Sequence, residues 1–407
     1  MPKGLNDIPV LRLSTLNKLV SKDMQPPKTF FSSLFPTKNY PSDTIEWEGI
    51  VGNLGMTPFV APGAVAPALA PSGVSQHSAR CAFWKEKMYM DEEFLNNLRQ
   101  PGTRATYERA EMRLARELYK MKNRCLRRRE WMNAQCLLNG TLSYLGTGGI
   151  KFSVDYDIQS THQVTLGSTY KWGSGADRNI LSDIYDAKET IQDDTNSEIT
   201  HMIINDHSLR LMVEDPGLRT LLQKNAFGEG SFLVRPKMVL GSLFGIPNIV
   251  EYNEKYKVYA WLTAAVTASS TVNIYLDDVS DFVVGEELRL INMVTGAWEE
   301  QTISAVSIES GYVTVDTAFS VSFQAGRDRA VMTRKFVPDD TVLFFAQNVD
   351  GPILEFMQSP FGLDRHYGQK VDREPEWDPE GLWIRVQDKG MPVLYQRDAT
   401  YKLVHGG

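Results

Sequence analysis

The chain has 407 residues, 42% hydrophobic and 10% aromatic, enough for two or three domains with cores of their own. With 23% charged residues and a formal net charge of −7, general disorder is excluded, and so is a surface that binds nucleic acid throughout. The three cysteines form no CxxC pair, which excludes a zinc knuckle and a disulfide framework and points to a reducing compartment.

Met1 to Pro41 reads as an arm. Leu11, Leu16 and Val20 have helical spacing, and "MQPPKTFFSSLFPTKNYP" then breaks the pattern with prolines. Phe30, Phe31 and Phe35 have no local core, so the arm should pack on something larger. Nothing at this end has the apolar core of a signal peptide, and no run along the chain approaches the ~20 apolar residues of a membrane span.

Thr44 to Val51 alternates like a strand. Next comes "GMTPFVAPGAVAPALAPSGVSQ", whose prolines exclude a regular central strand and whose few charges leave it apolar. Such a segment is either a linker or an arm that reaches a neighbouring surface. The strand-like "RCAFWKEKMYMDEEFL" follows, so the two flanks could be legs of one long hairpin.

From Thr103 to Gly140 the spacing predicts a single helix of about 36 residues and ~54 Å, closed by Gly140. Its apolar stripe runs through Tyr107, Ala110, Leu114, Leu118, Met121, Cys125, Met132 and Cys136. Like charges stack at i,i+4: Arg109 with Arg113, Arg116 with Lys120, Lys120 with Arg124, Arg124 with Arg128. In isolation that ladder costs roughly 1–2 kcal/mol. The helix therefore either finds counter-charges elsewhere, on the fold, another subunit or nucleic acid, or presents a solvated basic face.

"GGIKFSVDYDI" and "THQVTLG" read as a pair of strands. "SGADRNILSDIYDAKETIQDDTN" reads as a helix opened by Ser or Asp, and "EITHMIINDHSLRLMVEDPGLRTLL" as a strand and then a helix. From Tyr259 to Ala330 the character changes. "TVNIYLDD", "FVVGEELRLINM", "AWEEQTISAV" and "YVTVDTAF" are rich in Val, Ile, Thr and Tyr and spaced by turn residues, which predicts a compact, barrel-like all-β module. Its flanks, "IPNIVEYNEKYK" and "RKFVPDDTVLFFA", read as adjacent strands, so the module looks inserted into a hairpin; a continuing sheet is the alternative. The tail from Gly351 is strand-rich.

Motifs for chemistry are missing. The sequence has no Walker loop, no GxGxxG after a strand, no HExxH and no GxSxG. Its six histidines are scattered, and "GTGG" at Gly146–Gly149 reads as a hairpin turn. No catalytic residue, cofactor or metal ligand is indicated.

The order of parts resembles the major capsid proteins of tailed bacteriophages, and more narrowly the lambda-type family, phage major capsid protein E. The resemblance is carried by "TFFSSLFP" with "DTIEWEGIVGNLGMTPFVAPG", by "RCAFWKEKMYMDEEFL", by "YKWGSGADRNILSDIYDAKETI" with its leading Trp, and by "HMIINDHSLRLMVEDPGLRTLL", "IPNIVEYNEKY" and "RKFVPDDTVLFFA". It implies an α+β chain of Hong Kong 97 type with an inserted all-β module. The expected divisions are an N-terminal arm (1–43), an extended loop with its strand legs (44–92), a peripheral domain with a spine helix (93–170), the first part of an axial domain (171–258), the inserted module (259–333), the axial return (334–350) and the peripheral return strands (351–407).

The implied function is self-assembly into the icosahedral head that encloses a double-stranded DNA genome without gripping it. Implied partners are further copies in hexameric and pentameric capsomers, a portal at one vertex, and scaffold and decoration or cement proteins; no membrane is involved. The protein would be assembled in the host cytoplasm and reside in the virion. Candidate contacts with neighbours or the lumen are Phe30, Phe31, Phe35, Phe59, Phe83, Trp84, Arg113, Arg116, Arg124, Arg127, Arg128 and Arg129. The alternatives are a nucleic-acid-binding protein that uses the basic helix and the shell of a cellular nanocompartment.

Overall fold

The computed structural model describes residues 29–49, 59–60, 65, 75–91, 104–146, 151–224, 235–347, 352–378 and 380–406, with backbone alone at 104–113, 151 and 223–224. In chain order the first elements are α1 (Phe30–Leu34), β1 (Thr37–Asn39), β2 (Thr44–Gly49), β3 (Ser75–Arg80), β4 (Ala82–Asp91) and α2 (Arg104–Asn139). There follow β5 (Thr141–Leu145), β6 (Lys151–Asp155), β7 (Gln163–Thr165), α3 (Ile180–Thr195), β8 (His201–Ile204), α4 (Asp206–Glu214), α5 (Pro216–Lys224), α6 (Pro236–Phe244) and β9 (Asn248–Glu251). The later elements are strands: β10 (Lys255–Trp261), β11 (Asn273–Tyr275), β12 (Glu287–Ile291), β13 (Trp298–Ser307), β14 (Tyr312–Val315), β15 (Arg329–Lys335), β16 (Thr341–Phe345), β17 (Leu354–Gln358), β18 (Lys370–Trp377), β19 (Glu380–Leu394) and β20 (Thr400–Val404).

The chain divides into two compact units. One holds the described residues up to Gly49, those of 73–136 and those of 352–396; the other holds those of 51–72, 137–351 and 397–406. Residues 104–136 of the long helix belong to the first unit, while the described residues of 137–170 and 397–406 belong to the second.

In the first unit β19 is the organising strand. Along one side it pairs with β4 over ten residues, from Gly381↔Asp91 to Gly390↔Ala82. Its other side takes β18 and then β17, and β1 joins β17 in parallel. Nearly every β19 residue is buried, consistent with a strand covered on both faces. Gly390 is required by close approach: a Cβ there would lie 2.6 Å from the Met357 carbonyl and from the Phe356 ring. A hairpin is present, but its second leg is β3, paired with β2 from Thr44↔Arg80 to Gly49↔Ser75; the leg expected from "RCAFWKEKMYMDEEFL" is β4, which pairs with β19 and not with β2. Ile45 and Trp47 alternate inward from β2.

The long helix is continuous for 36 residues. Leu114, Leu118, Met121, Cys125, Met132 and Cys136 are all buried, as their spacing predicts. The side chains of Tyr107 and Ala110 lie outside the described residues. Gly140 follows with φ +63°, the left-handed conformation that lets a chain leave a helix.

The second unit is built on a mixed five-stranded sheet, β7-β20-β16-β8-β9. Every residue of the central β16 is buried, and α3, α4, α5 and α6 contribute Ile184, Ile191, Met212, Leu218, Leu240 and Phe244 to its core. Trp172, ahead of α3, is buried and donates from Nε1 to Asp183 at 2.7 Å, tying the approach segment to the first turn of the helix.

Four local expectations are corrected. Lys151–Asp155 and Gln163–Thr165 do form strands, but β6 pairs with β5 and β7 with β20, not with each other. Helix α3 is capped by Asn179, which accepts from the Ser182 amide, rather than by Ser or Asp. The single helix expected after β8 is two, α4 and α5, because Pro216 cannot continue a helix and Asp215 caps a new one through the Leu218 amide. The two flanks of the module are adjacent as expected only at their inner ends, where Lys255 and Tyr256 pair with Lys335 and Arg334 in the β10–β15 ladder; their outer strands β9 and β16 share a sheet with β8 between them.

Between those facing strands all four β segments expected from composition are present. The sheet runs β10-β15-β12-β13-β14-β11, and the Leu262↔Leu276 bridge carries β11 back toward the β10 end. A register shift at Ile303/Ala305 in β13 bends the sheet over its own core of Leu288, Leu290, Ile303, Val313, Phe319 and Phe323. Lys257 lies opposite Thr333 in the closing ladder. Replacing 258–332 with a two-residue Asn-Gly turn is therefore expected to give soluble protein with its α-helical circular dichroism retained; wholly insoluble product would show that the module belongs to the main core.

Candidate assembly surfaces

The arm is fastened to α2 by one carboxylate. Glu130, 1% exposed, accepts the Phe31 amide at 2.8 Å, the Ser32 amide at 2.7 Å and the Ser32 hydroxyl at 2.6 Å. Helix α1 has no side-chain cap of its own, so Glu130 supplies from a distant helix the acceptor that its free amides need. Asn133 adds a bond to the Ser32 hydroxyl, and Arg129 donates to Thr37 and lies 3.9 Å from the Phe356 ring centroid. Phe31 and Phe35 are consequently buried within this chain.

Opposite the apolar stripe, Arg116, Lys120, Arg124 and Arg127 are exposed and repeat at four-, four- and three-residue steps, one face of the helix. Part of the charge is met locally. Lys120 bonds Glu117 at 2.7 Å, and Arg124 pairs with Glu86 on β4 at 3.0 Å. Arg116 and Arg127 have no ion pair among the described residues. Arg128 lies half-buried, 5.2 Å from the Trp131 ring. The side chain of Arg113 lies outside the described residues.

Further apolar surface is open. Of the extended loop, Phe59, Val60 and Val65 are described, and all three are exposed. Phe83 on β4 is exposed on one side while its ring sits 5.7 Å from that of Phe361. Trp84, its neighbour, is half-buried. Phe30 is half-buried against Phe31.

The buried titratable groups are structural in their surroundings. Burial pushes the Asp388 carboxyl up to about 6, with the Lys389 amide and the Arg129 charge opposing. It pushes the Cys125 thiol up to about 12 and Cys81 to about 11, which keeps both protonated and unreactive. In the second unit His405 is fully buried, stacked on Trp172 at 4.4 Å between centroids, with Nε2 2.8 Å from the Ser208 hydroxyl. A Ser–His contact is part of a hydrolytic constellation, but Ser208 is fully buried too and also bonds the Asp339 carbonyl, so substrate cannot reach it. Among the described residues no cluster of His, Cys, Asp or Glu could hold a metal.

The geometry of the arm clamp and of His405 was not read from sequence. Glu130 stands as one acid after three arginines, a hint that it faces inward; His405 carries no sequence signal beyond its type.

A chain with these parts has the architecture of a phage capsid subunit. Its structure is similar to a protein assigned as the capsid protein of a prophage of Escherichia coli CFT073, at 12% identity over 96% of this chain and 98% of that one, with a TM-score of 0.51. Two other similar structures are a phage-related protein from Bordetella bronchiseptica RB50 (12% identity, 97% of each chain, TM-score 0.45) and the capsid of cyanophage P-SCSP1u (10% identity, 94% of this chain and 89% of that one, TM-score 0.44). No curated protein matches the sequence. The family profile described as phage major capsid protein E matches residues 13–278, and the chain belongs to that family. It is a head-shell protein, a subunit of a self-assembling oligomer.

Proposed function

We propose that many copies of this chain close into the icosahedral head of a tailed bacteriophage, as hexameric and pentameric capsomers with a portal at one vertex, around double-stranded DNA that is enclosed rather than specifically bound. Assembly takes place in the host cytoplasm, with scaffold and decoration proteins as further partners, and the subunit performs no catalysis. The family match carries the reading. The exposed loop residues Phe59, Val60 and Val65 support it, because a lone copy leaves them in water. Expressed alone or with its scaffold, the protein should form shells or capsomers in negative stain; a monomer under all assembly conditions overturns the proposal.

Within that shell we assign the basic face of α2 to neighbouring subunits. Changing Arg116, Arg124 and Arg127 together to Ala should lower shell yield at least tenfold while thermal unfolding of the unassembled chain moves little. Double-stranded DNA binding should be weak and nearly unchanged at about 150 mM salt. If the triple change leaves assembly intact but removes a steeply salt-dependent DNA affinity, phosphate is the true partner of this face.

A further inference from the structure

The β module has an outer face that its own packing leaves unused. In β10, β12, β13 and β15 the residues Ala260, Leu288, Leu290, Ile303, Ala330 and Met332 belong to the module's core, so the residues alternating with them face outward. Strand register sets those outward residues in rows. Trp261 lies opposite Arg329, Arg329 opposite Ile291, and Ile291 opposite Trp298. The adjoining row runs Tyr259, Val331, Arg289, Glu300, and the one beyond it, from Lys257 to Thr302, is polar.

Both tryptophans are open, Trp261 at 38% and Trp298 at 56% exposure, and Tyr259 is open beside them. Each indole is braced by an arginine of the same face. The Arg329 guanidinium lies 3.8 Å from the Trp261 ring centroid and that of Arg289 lies 4.2 Å from Trp298. Arg289 has its counter-charge, donating from Nε to Glu300 at 2.6 Å. Arg329 has no ion pair among the described residues, and its buried Nε finds no acceptor there.

The size and charge of the face select its occupant. Four strands and two rows cover on the order of 300 Å², well short of the roughly 800 Å² per partner in a stable protein interface. Charged groups separate the rings, where a protein interface has an apolar centre. Arg329 is the free cation in these two rows and Glu300 stands in the next, which is not the continuous basic track that single-stranded nucleic acid follows. A pyranose ring suits the arrangement. Its C–H faces pack on an indole, and its rim of hydroxyls can bond to Arg289 and Glu300. A carboxylate carried in the plane of that ring supplies the acceptor that Arg329 lacks. Three inter-strand steps, about 14 Å, separate the two indoles, so the ligand is a chain of sugars and not a single one.

We propose that this face binds a linear polysaccharide of uronate units, with sugar rings on Trp261 and Trp298 and a carboxylate on Arg329. The inference goes beyond the shell reading and does not rest on it. Repeated once per copy, even a weak hold would become strong on a polymer that engages several copies.

The test is calorimetric titration of the unassembled full chain with a hexamer of 1,4-linked galacturonate at about 50 mM salt. Saturable binding at one site per chain is expected, about tenfold tighter than for the same hexamer with its carboxylates reduced to alcohols. Trp298→Ala and Trp261→Ala should each weaken binding about tenfold, while Trp298→Phe, which keeps a ring, should retain most of it. Arg329→Gln should remove the preference for the acidic hexamer over the reduced one. Thr333→Ala, on the polar row, should change nothing, and thermal unfolding of every variant is followed in parallel. No saturable binding, equal binding of the acidic and reduced hexamers, or binding indifferent to the tryptophan and arginine changes overturns the proposal. So does tighter binding of an oligothymidylate that the same changes abolish, which would make nucleic acid the ligand of this face. Failure to form shells with hexamer binding intact would count against the assembly reading alone.

Discussion

Glu130→Ala should release the arm and destabilise the first unit by on the order of 3 kcal/mol, since hydrogen bonds to a charged acceptor contribute roughly 1.5–3 kcal/mol each and are not additive. The substitution leaves the amides of Phe31 and Ser32 without their acceptor in a partly buried place. Once α1 loosens, Phe31 and Phe35 lose the positions in which they are covered. Glu130→Gln should lie between parent and Ala, because one amide oxygen can still accept. Hydrogen exchange at Phe31 and Ser32 reports the local effect, and urea denaturation the global one. Unchanged exchange at both amides would show that other contacts hold the arm. Shell assembly should also fall, because a loosened arm no longer presents its flanking residues in register.

The second large effect is a pH dependence centred on His405. Burial pushes its imidazole down to about 4, with the Asp340 charge opposing and His207 adding to the shift. The unfolded chain then binds more protons than the folded one between about pH 6.5 and 4. Stability of the second unit is therefore full above about 6.5 and is lost as pH falls through that window, by about 3 kcal/mol from this group alone. Asp388 in the first unit works the other way. Its raised value means that the folded chain binds more protons between about 4 and 6, so that contribution is present in acid and lost as pH rises. Whole-chain profiles mix the two, so the difference between parent and His405→Phe is the quantity to follow. That difference should change by about 3 kcal/mol between about pH 7 and pH 4; parallel profiles would place the imidazole's titration elsewhere.

What could be read from sequence follows from the range of the interactions involved. Helix α2 is legible because 36 residues of helix-forming composition carry one apolar stripe, and side chains three and four apart meet regardless of the rest of the chain. The four module strands were legible from β-branched runs between turns. Strand partners were not. β6 and β7 have similar local character, yet one closes a hairpin with β5 and the other lies parallel to β20, far along the chain. Register of that kind is fixed by the fold and not by the segment. The break at Asp215–Pro216 was in principle readable, since Pro is favoured at the first helical position and Asp just before it. For the assembly surfaces, residue type indicated the basic face of α2 but could not separate Phe31 and Phe35, which the chain buries itself, from Phe59 and Phe83, which it leaves open.

The ten-rung ladder between β4 and β19 has a mechanical meaning. In the head proposed above, internal pressure would stretch the shell, and tension carried through β3 and the single residue Cys81 would run along the axis of β4. Pulled lengthwise, the rungs from Ala82↔Gly390 to Asp91↔Gly381 are loaded in shear and resist together, whereas a ladder pulled from its end opens like a zip, one rung at a time. The β2–β3 hairpin, with six pairs to the ten of β4 and β19, would have fewer rungs to share the same load.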